Sequence, residues 1–221
     1  MTSDGTKFCV AIPSNYVEEK YRRFACGTNA ADYTRLRKEM TNNDSQSKQV
    51  RAFSSLRPQH FTDALLMREA KPDETTTYLQ SEIYQEETDT TKPSTASARV
   101  IRGYYLLDEL KKKDNGELEI SRRFWFDRVG GIRLARQQIF DNKSAIESDI
   151  GYGAIQQFGA DRAVSLPVKV EVTRPKEKYK VSLTYQSPQT VTIGQVFDPQ
   201  VFQLINKWNL PEVKLDETPT K

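Results

Sequence analysis

The chain has 221 residues, with 33 lysines and arginines against 30 aspartates and glutamates, and this net charge of +3 points to no polyanionic partner. Hydrophobic residues make up 37% of the chain, which is enough for one sizeable core and suits a single domain over residues 1–221. Two cysteines and one histidine argue against a disulfide-rich scaffold, a Cys₄ zinc site and most metal or acid–base chemistry. The composition therefore predicts a protein that is not an enzyme and that has no cofactor and no metal site.

The N-terminal part contains two short strand patterns and both cysteines. Hydrophobic and polar residues alternate over residues 6–13, and a second short strand is predicted around residues 22–26. A hairpin between these strands, turning near Val17 and Glu18, would bring Cys9 roughly opposite Cys26. A disulfide in an oxidising compartment and two unpaired, half-buried thiols are both compatible with this spacing, and the thiols are the favoured alternative.

Export and membrane signals are not expected within this chain. No apolar stretch approaches the roughly 18 residues that a membrane-spanning helix needs. Residues 1–5 provide neither the basic nor the apolar region of a signal peptide.

Two polar loops and one short helix are predicted between the strands. Residues 28–55 and 85–98 are rich in small polar residues, and each is predicted to be a loop. Between them, Pro58 suits the first turn of a helix, and Phe61, Leu65 and Leu66 form an apolar stripe along it. The last residues, 206–221, are predicted to form an irregular tail.

Strand patterns dominate residues 100–186. The connections between them are too short for a crossover helix, so neighbouring strands must be antiparallel and the region is predicted to be a meander. The predicted strands cover residues 100–110, 117–128, 132–141, 146–158, 163–173 and 179–186.

The first hairpin of this region takes its register from Asn115 and Gly116. This dipeptide predicts a two-residue type I′ turn, because that turn needs a positive φ at both central residues. Opposite charges and aromatic residues then face each other, which supports the same register. The predicted pairs are Asp108 with Arg123, Glu109 with Arg122, Leu107 with Phe124 and Tyr105 with Phe126.

A second hairpin is predicted to turn at residues 174–177, where Pro175 cannot continue a ladder of hydrogen bonds. One face of this hairpin is apolar and the other is polar, which is typical of an antiparallel sheet covered on one side. The predicted pairs are Val170 with Val181, Val168 with Leu183 and Leu166 with Tyr185.

Very little predicted helix is available to cover such a sheet, so a sheet of six or more long strands must curl on itself. The sequence therefore predicts a mainly β fold, in which a curved antiparallel sheet forms an incomplete β-barrel with a short helical lid. Two interiors remain open at this stage, an apolar cavity and a core packed solid by side chains.

His60 is the only imidazole, at the start of the short helix. No Ser, Cys or Lys motif beside it suggests a nucleophile, and no glycine-rich loop precedes a helix to bind phosphate. Local hydrogen bonding is the expected role of His60, and no catalytic residue is predicted.

Basic and aromatic residues cluster at residues 122–128 and continue with Arg133 and Arg136, a composition that also occurs in surfaces for single-stranded nucleic acid. In the predicted register, Asp108, Glu109 and Asp127 lie beside these arginines and largely neutralise them. No nucleic-acid partner is therefore expected.

Six segments together resemble a family of bacterial envelope proteins. They are residues 3–8 (SDGTKF), 12–15 (IPSN), 56–65 (LRPQHFTDAL), 123–127 (RFWFD), 136–141 (RQQIFD) and 170–175 (VEVTRP). Through them nearly the whole chain resembles the LolA/LolB-like family of outer-membrane lipoprotein-sorting proteins, and LRPQH is the most specific piece. The resemblance implies an incomplete, strongly curved β-barrel with a helical lid over an apolar cavity.

The resemblance also implies a location at the periplasm or outer membrane. Relatives usually begin with a lipoprotein signal and a lipidated cysteine, followed by a long helix. The present chain is expected to lack that N-terminal part, and so to associate peripherally with the outer membrane through an anchor that is missing from the sequence as given.

The function implied is binding or carriage of acyl chains or lipidated proteins in an apolar cavity, with envelope proteins as further partners. The alternative is a non-catalytic module for protein–protein interaction at the envelope, docking through strand edges or the two polar loops. The candidate lipid-binding residues, taken from the less polar faces of the two hairpins, are Tyr105, Leu107, Phe124, Phe126, Val168, Val170, Val181, Leu183 and Tyr185.

Overall fold

A computed structural model of the chain describes residues 1–13, 19, 22–29, 31, 62, 64–65, 70–89, 98–129, 131–159, 164–184 and 194–216. Most of these residues form curved antiparallel sheets, which confirms the predicted mainly β fold. The strands are β1 (Thr2–Ser3), β2 (Lys7–Ala11), β3 (Phe24–Thr28), β4 (Thr76–Thr88), β5 (Arg99–Lys112), β6 (Leu118–Asp127), β7 (Arg133–Phe140), β8 (Ile146–Tyr152), β9 (Ile155–Phe158), β10 (Val164–Pro167), β11 (Lys169–Arg174), β12 (Tyr179–Thr184) and β13 (Glu212–Lys214).

The chain groups into two compact units. One comprises residues 1–66 and 194–221, and the other comprises residues 67–193. The first unit contains a four-stranded sheet in the order β1-β2-β3-β13, and the second contains a seven-stranded sheet and the β9–β10 pair. The assignment of residues 1–221 to a single domain remains a prediction.

The seven-stranded sheet has the order β12-β11-β8-β7-β6-β5-β4, and all its neighbouring strands are antiparallel. This arrangement confirms the predicted meander. Its edge strands β4 and β12 do not pair with each other, so the described strands form no closed barrel, as expected of an incomplete one.

The polar stretch 85–98 is shorter as a loop than predicted. Thr88 pairs with Arg99, so residues 85–88 continue β4. Hydrophobic alternation is weak there, but a cross-strand ion pair between Arg99 and Glu86 (3.1 Å) supports the extension. Residues 90–97 lie outside the described residues.

Most of the predicted loop 28–55 and of the predicted helix lies outside the described residues. Thr62, Ala64 and Leu65 adopt helical backbone, and Ala64 is fully buried. The helical lid remains a prediction, and His60 also lies outside the described residues. No helix in the described part of the chain combines the length and apolar character needed to cross a membrane.

The C-terminal segment is not irregular throughout, contrary to prediction. Residues 212–214 form β13, which pairs in parallel with β3, and Leu215 is buried in a core cluster with Phe8, Val10 and Ala25. The reason is a partner nearly 190 residues away in sequence: Asp216 accepts hydrogen bonds from Thr28 N (3.0 Å) and Thr28 Oγ1 (2.8 Å).

Cys9 and Cys26 form a disulfide within the four-stranded sheet. The β2–β3 pairing places them directly opposite each other, as the sequence spacing indicated. The preference for two unpaired thiols was wrong, because this antiparallel pairing brings the two Cα atoms to 4.2 Å.

The turn between β5 and β6 has three residues, not the predicted two. Lys113 N donates to Glu117 O (2.8 Å), and Gly116 supplies the positive φ of 85° that closes the loop. The register then shifts between Glu109 and Leu110, leaving Ser121 as an extra residue in β6. Because the bulge offsets the longer turn, the predicted pairs listed next are confirmed. They are Asp108–Arg123, Glu109–Arg122, Leu107–Phe124 and Tyr105–Phe126.

The predicted register of the second hairpin was wrong by two residues. Val170 pairs with Leu183 and Val172 pairs with Val181, because Arg174 still belongs to the strand and pairs with Tyr179. The turn therefore occupies residues 175–178. A shift of two residues preserves the faces of both strands, so Val170, Val181 and Leu183 stay on the predicted side.

The predicted strands 146–158 and 163–173 are each divided in two. Gly153 N donates to Lys169 O (2.8 Å) and Val168 N to Ala154 O (2.9 Å), so the two chains stay together where the strands break. Leu166, in β10, pairs with Gln156 of β9, and its predicted partner Tyr185 lies outside the described residues.

Candidate functional site

One face of the seven-stranded sheet carries a row of mostly apolar side chains. Side chains alternate between faces along each strand, so direct cross-strand partners identify the residues that share a side. We use the term apolar face for the side that carries the row Leu107, Phe124, Gln137, Ile150, Val172 and Val181, which crosses six strands from β5 to β12.

The structure brings most of the predicted lipid-binding residues together on the apolar face. Val168 immediately precedes β11, and Tyr185 lies outside the described residues. The pairing of β8 with β11 joins the two hairpins, which the sequence could register only separately. The residues on the apolar face are Tyr105, Leu107, Phe124, Phe126, Val170, Val181 and Leu183. Their role in binding lipid remains a prediction.

Burial varies along the apolar face. Val172 is fully buried and Ile150 is 1% exposed, whereas Leu107, Phe126 and Val181 are half-buried. The side chains nearest to β5 and β12 are therefore the ones that an external ligand can contact without displacing a buried group. Two of the predicted binding residues, Phe124 and Val170, belong to the buried centre.

One amide, that of Gln137, interrupts the row and is 2% exposed. The hydroxyl of Tyr152 donates a hydrogen bond to Gln137 Oε1 (3.1 Å), so the amide oxygen is satisfied. Burial raises the pKa of Tyr152, which keeps its hydroxyl protonated as the donor. The row therefore contains no ionised group.

A cation–aromatic cluster lies where β6 ends, against the middle of β4 and β5. The Arg128 guanidinium lies 4.9 Å from the centre of the Tyr105 ring and 5.6 Å from that of Tyr84, and it donates to Glu82 Oε2 (2.9 Å). Tyr84 is the cross-strand partner of Gly103, where a Cβ would come within 3.1 Å of the Tyr84 ring. Because Gly103 has no side chain, the Tyr84 ring can lie against the backbone of β5 at this position.

A buried arginine occupies the apolar face near the turn between β11 and β12. Arg174, 5% exposed, donates to Ser148 Oγ (2.7 Å), Glu147 Oε1 (3.2 Å) and Glu177 Oε1 (2.9 Å). Two consecutive residues of β8 reach it because a bulge after Ile139 leaves Glu147 as an extra residue in the ladder. No local pattern in the sequence indicates this bulge, and so this group of side chains was not predicted.

The opposite face of the same sheet combines ion pairs with a buried cluster of Tyr104, Leu106 and Trp125. Arg123 donates to both oxygens of Asp108 (2.7 and 2.8 Å), and Arg136 donates to Asp149 Oδ1 (2.7 Å). The hydrogen bond to Asp108 raises the pKa of Arg123, and that to Asp149 raises the pKa of Arg136. These arginines are therefore bound to carboxylates within the sheet.

The other arginines of the basic cluster are also paired. Asp127 lies between Arg102 (3.5 Å) and Arg133 (3.4 Å). Arg122 lies 3.8 Å from Glu109, and this pair is on the apolar face, two residues along the strands from Phe124 and Leu107. These contacts confirm that Asp127 and Glu109 neutralise the cluster. The absence of a nucleic-acid partner remains a prediction.

The described residues contain no group of three or more His, Cys, Asp or Glu side chains placed to hold a metal ion. The predicted absence of a catalytic residue, a cofactor and a metal remains a prediction.

No protein-family model matches the chain, and no curated protein sequence matches it. A solved structure with some similarity is a domain from Vibrio parahaemolyticus described as a candidate outer membrane lipoprotein-sorting protein. The two share 13% sequence identity, with a TM-score of 0.33 over 50% of this chain. The chain spans 40% of the length of that domain, and a likeness of this extent carries no argument about function.

Proposed function

We propose that the protein binds acyl chains, free or attached to a protein, in an apolar concavity formed by the apolar face. The observation that carries this proposal is the row from Leu107 to Val181, which crosses six strands without an ionised side chain. The half-buried residues at its two ends provide the first contacts.

The binding energy would come from hydrophobic transfer. Each buried CH₂ group contributes about 0.8 kcal/mol, so a long acyl chain needs no charged or catalytic partner. The arginines on this face, Arg122, Arg128 and Arg174, are already paired with carboxylates, which leaves the row of uncharged side chains as the binding element.

The same proposal includes a location at the bacterial envelope. The Cys9–Cys26 disulfide supports it, because such bonds persist in oxidising compartments such as the periplasm and are rare in reducing ones. Association with the outer membrane rests on the sequence resemblance alone.

The test compares long-chain with short-chain fatty acids in thermal unfolding, and uses native mass spectrometry to detect retained phospholipid. Long chains should raise the unfolding temperature of the wild type, because a ligand that binds only the native state stabilises it. Phe126→Asp should abolish this shift. Stabilisation that does not depend on chain length would overturn the proposal.

The matched control is Leu79→Asp. Leu79 is 56% exposed and pairs with Asp108, so it lies on the face of the sheet opposite to the apolar face. This variant should bind acyl chains like the wild type. If Phe126→Asp does not fold, Leu183→Asp on β12 tests the other end of the apolar face.

A second candidate is an envelope interaction module. It is favoured by β4, a 13-residue edge strand with no partner on its outer side among the described residues. Loss of acyl binding in every assay, with a folded protein, would favour this candidate.

A further inference from the structure

We infer that β4 pairs with β4 of a second copy of the chain, antiparallel and centred on Ser81, so that two seven-stranded sheets join edge to edge. β4 is an edge of its sheet, and no described strand lies on its outer side. This pairing gives the edge one specific partner and does not depend on the proposed acyl-binding site.

The outer side of β4 presents backbone hydrogen-bonding groups at every second residue. At one end of the strand, Lys112 N donates to Thr75 O (2.8 Å). At the other end, Asp89 N donates to Ala98 O (2.8 Å), so the odd-numbered residues bond towards β5. Because hydrogen-bonded pairs alternate along an antiparallel ladder, the even-numbered residues direct their N–H and C=O groups away from β5. Such a row of groups binds an extended peptide strand.

β4 also lacks the features that usually protect an exposed strand edge. Residues 76–88 contain no proline and no lysine, and they pair with β5 without a bulge. Each glutamate of β4 forms an ion pair with an arginine of the same sheet, and the pairs are Glu82–Arg128, Glu86–Arg99 and Glu87–Arg102. The negative charge of the edge is therefore compensated within each copy, and a long edge of this kind is expected to pair with another strand.

The sequence of β4 selects a second copy of the chain as that strand. Residues 78–84 read YLQSEIY, which is nearly symmetric about its central serine, Ser81. In an antiparallel pair of identical strands, this symmetry makes every contact occur twice, as an isologous dimer requires. The pairs across the interface are Tyr78 with Tyr84, Leu79 with Ile83, Gln80 with Glu82, and Ser81 with Ser81 of the second copy.

The side chains of these pairs match in chemistry. Leu79 is 56% exposed, and in this register it packs against the half-buried Ile83 of the second copy. The Gln80 amide can donate a hydrogen bond to the Glu82 carboxylate. Ser81 is small enough for two copies of it to meet at the two-fold axis. Cross-strand pairs of this kind stabilise antiparallel sheets.

Backbone direction and charge favour this register over its neighbours. Centring on Ser81 pairs even-numbered residues with even-numbered ones, so the outward N–H and C=O groups of the two copies meet. Centring on Glu82 would place two glutamates directly opposite each other, which is unfavourable. Centres at Gln80 or Ile83 would lose the apolar pairing of Leu79 with Ile83.

The test measures self-association of the full chain by sedimentation velocity over a range of concentrations. We expect a reversible dimer with twice the mass of the chain. Ser81, an exposed residue, is replaced in Ser81→Lys, which should raise the dissociation constant of the dimer about tenfold or more, because two lysines would face each other at the axis. Ser182→Lys is the matched control: Ser182 is likewise exposed on an edge strand, β12, and its replacement should leave the dimer unchanged.

A second variant tests the register directly. Both native cysteines form the disulfide, so Ser81→Cys adds the only free thiol. In the dimer, the two Ser81 positions are a directly opposed pair without hydrogen bonds, with Cα atoms about 4.5 Å apart, and mild oxidation should cross-link the two copies. Thr77→Cys is the control, since Thr77 faces residue 85 and its counterpart lies about 26 Å away along the strand.

A chain that stays monomeric at every concentration would overturn the inference. A dimer that Ser81→Lys leaves intact, or that Ser182→Lys weakens equally, would assign the contact to another surface and would also overturn it. So would equal cross-linking of Ser81→Cys and Thr77→Cys. Phe126→Asp, on β6, should dimerise like the wild type, so failure of acyl binding and failure of dimerisation are distinguishable.

Discussion

The two units of the protein build their sheets from different kinds of contact. In the seven-stranded sheet, β4 to β8 pair with their neighbours in sequence through hairpins. In the four-stranded sheet, β3 pairs with β13, and Thr28 bonds to a residue 188 positions away. Long-range pairing must offset the entropy of closing a long loop, so the smaller sheet depends more on fixed cross-links.

The disulfide supplies one such cross-link, and its removal should give the largest effect. Cys9 and Cys26 are 17 residues apart, and closing a loop of this length contributes about 3 kcal/mol to the free energy of unfolding. The double variant Cys9→Ser, Cys26→Ser should lose about this amount in denaturant titrations.

Amide hydrogen exchange shows which sheet loses stability when the disulfide is removed. Amides of β2 and β3 should exchange faster in the double variant, while those of β5 and β6 keep their protection. Equal loss of protection in both sheets would contradict the contrast between the two units. The wild type under reducing conditions provides an independent check.

A smaller effect is expected at the local turn that organises the larger sheet. Gly116→Ala places a side chain at a φ of 85° in open space, so the expected cost is backbone strain of about 1–2 kcal/mol. The measurement is the denaturant midpoint.

Gly151→Ala is its control, because Gly151 also has open space around a Cβ but lies within β8 without a positive φ. It should leave stability unchanged or raise it slightly. Equal destabilisation by the two substitutions would show that left-handed backbone at Gly116 is not the cause.

The contrast between the units also explains which parts of the fold the sequence could predict. Asp108 and Arg123 were registered correctly because charge and aromatic signals lie within one hairpin, and because the bulge at Ser121 offsets a turn one residue longer than predicted. The pairing of β13 with β3 left no such signal, since three residues, Glu212 to Lys214, carry too little pattern to specify a distant partner.

For the candidate site too, the sequence predicted the local features and not the tertiary contacts. Alternation alone assigned Tyr105 and Val170 to apolar sides of their own hairpins, and the structure places both on one face. The two hairpin faces lie in one sheet only because β8 pairs with β11. The contacts of Arg174 with both Glu147 and Ser148 depend on the bulge at Glu147. Both are products of tertiary packing that local patterns do not encode.

The smallest expected effect tests a longer-range contact within the large sheet. Asp141, between β7 and β8, forms an ion pair with Lys176 in the turn between β11 and β12, and it accepts hydrogen bonds from the backbone N–H groups of Ala145 and Lys143 (both 2.9 Å). The ion pair with Lys176, followed by these backbone hydrogen bonds, lowers the pKa of Asp141 from 3.8 to about 2.

A carboxyl group whose pKa is lower in the folded state stabilises that state above its ordinary pKa, and the contribution disappears as the pH falls from 3.8 towards 2. NMR titration of the Asp141 carboxyl carbon measures the pKa directly. Lys176→Gln should raise it part of the way towards 3.8, because the two backbone hydrogen bonds remain. A pKa that Lys176→Gln leaves unchanged would show that the two turns do not meet in solution, and that contacts between neighbouring strands alone hold this part of the sheet.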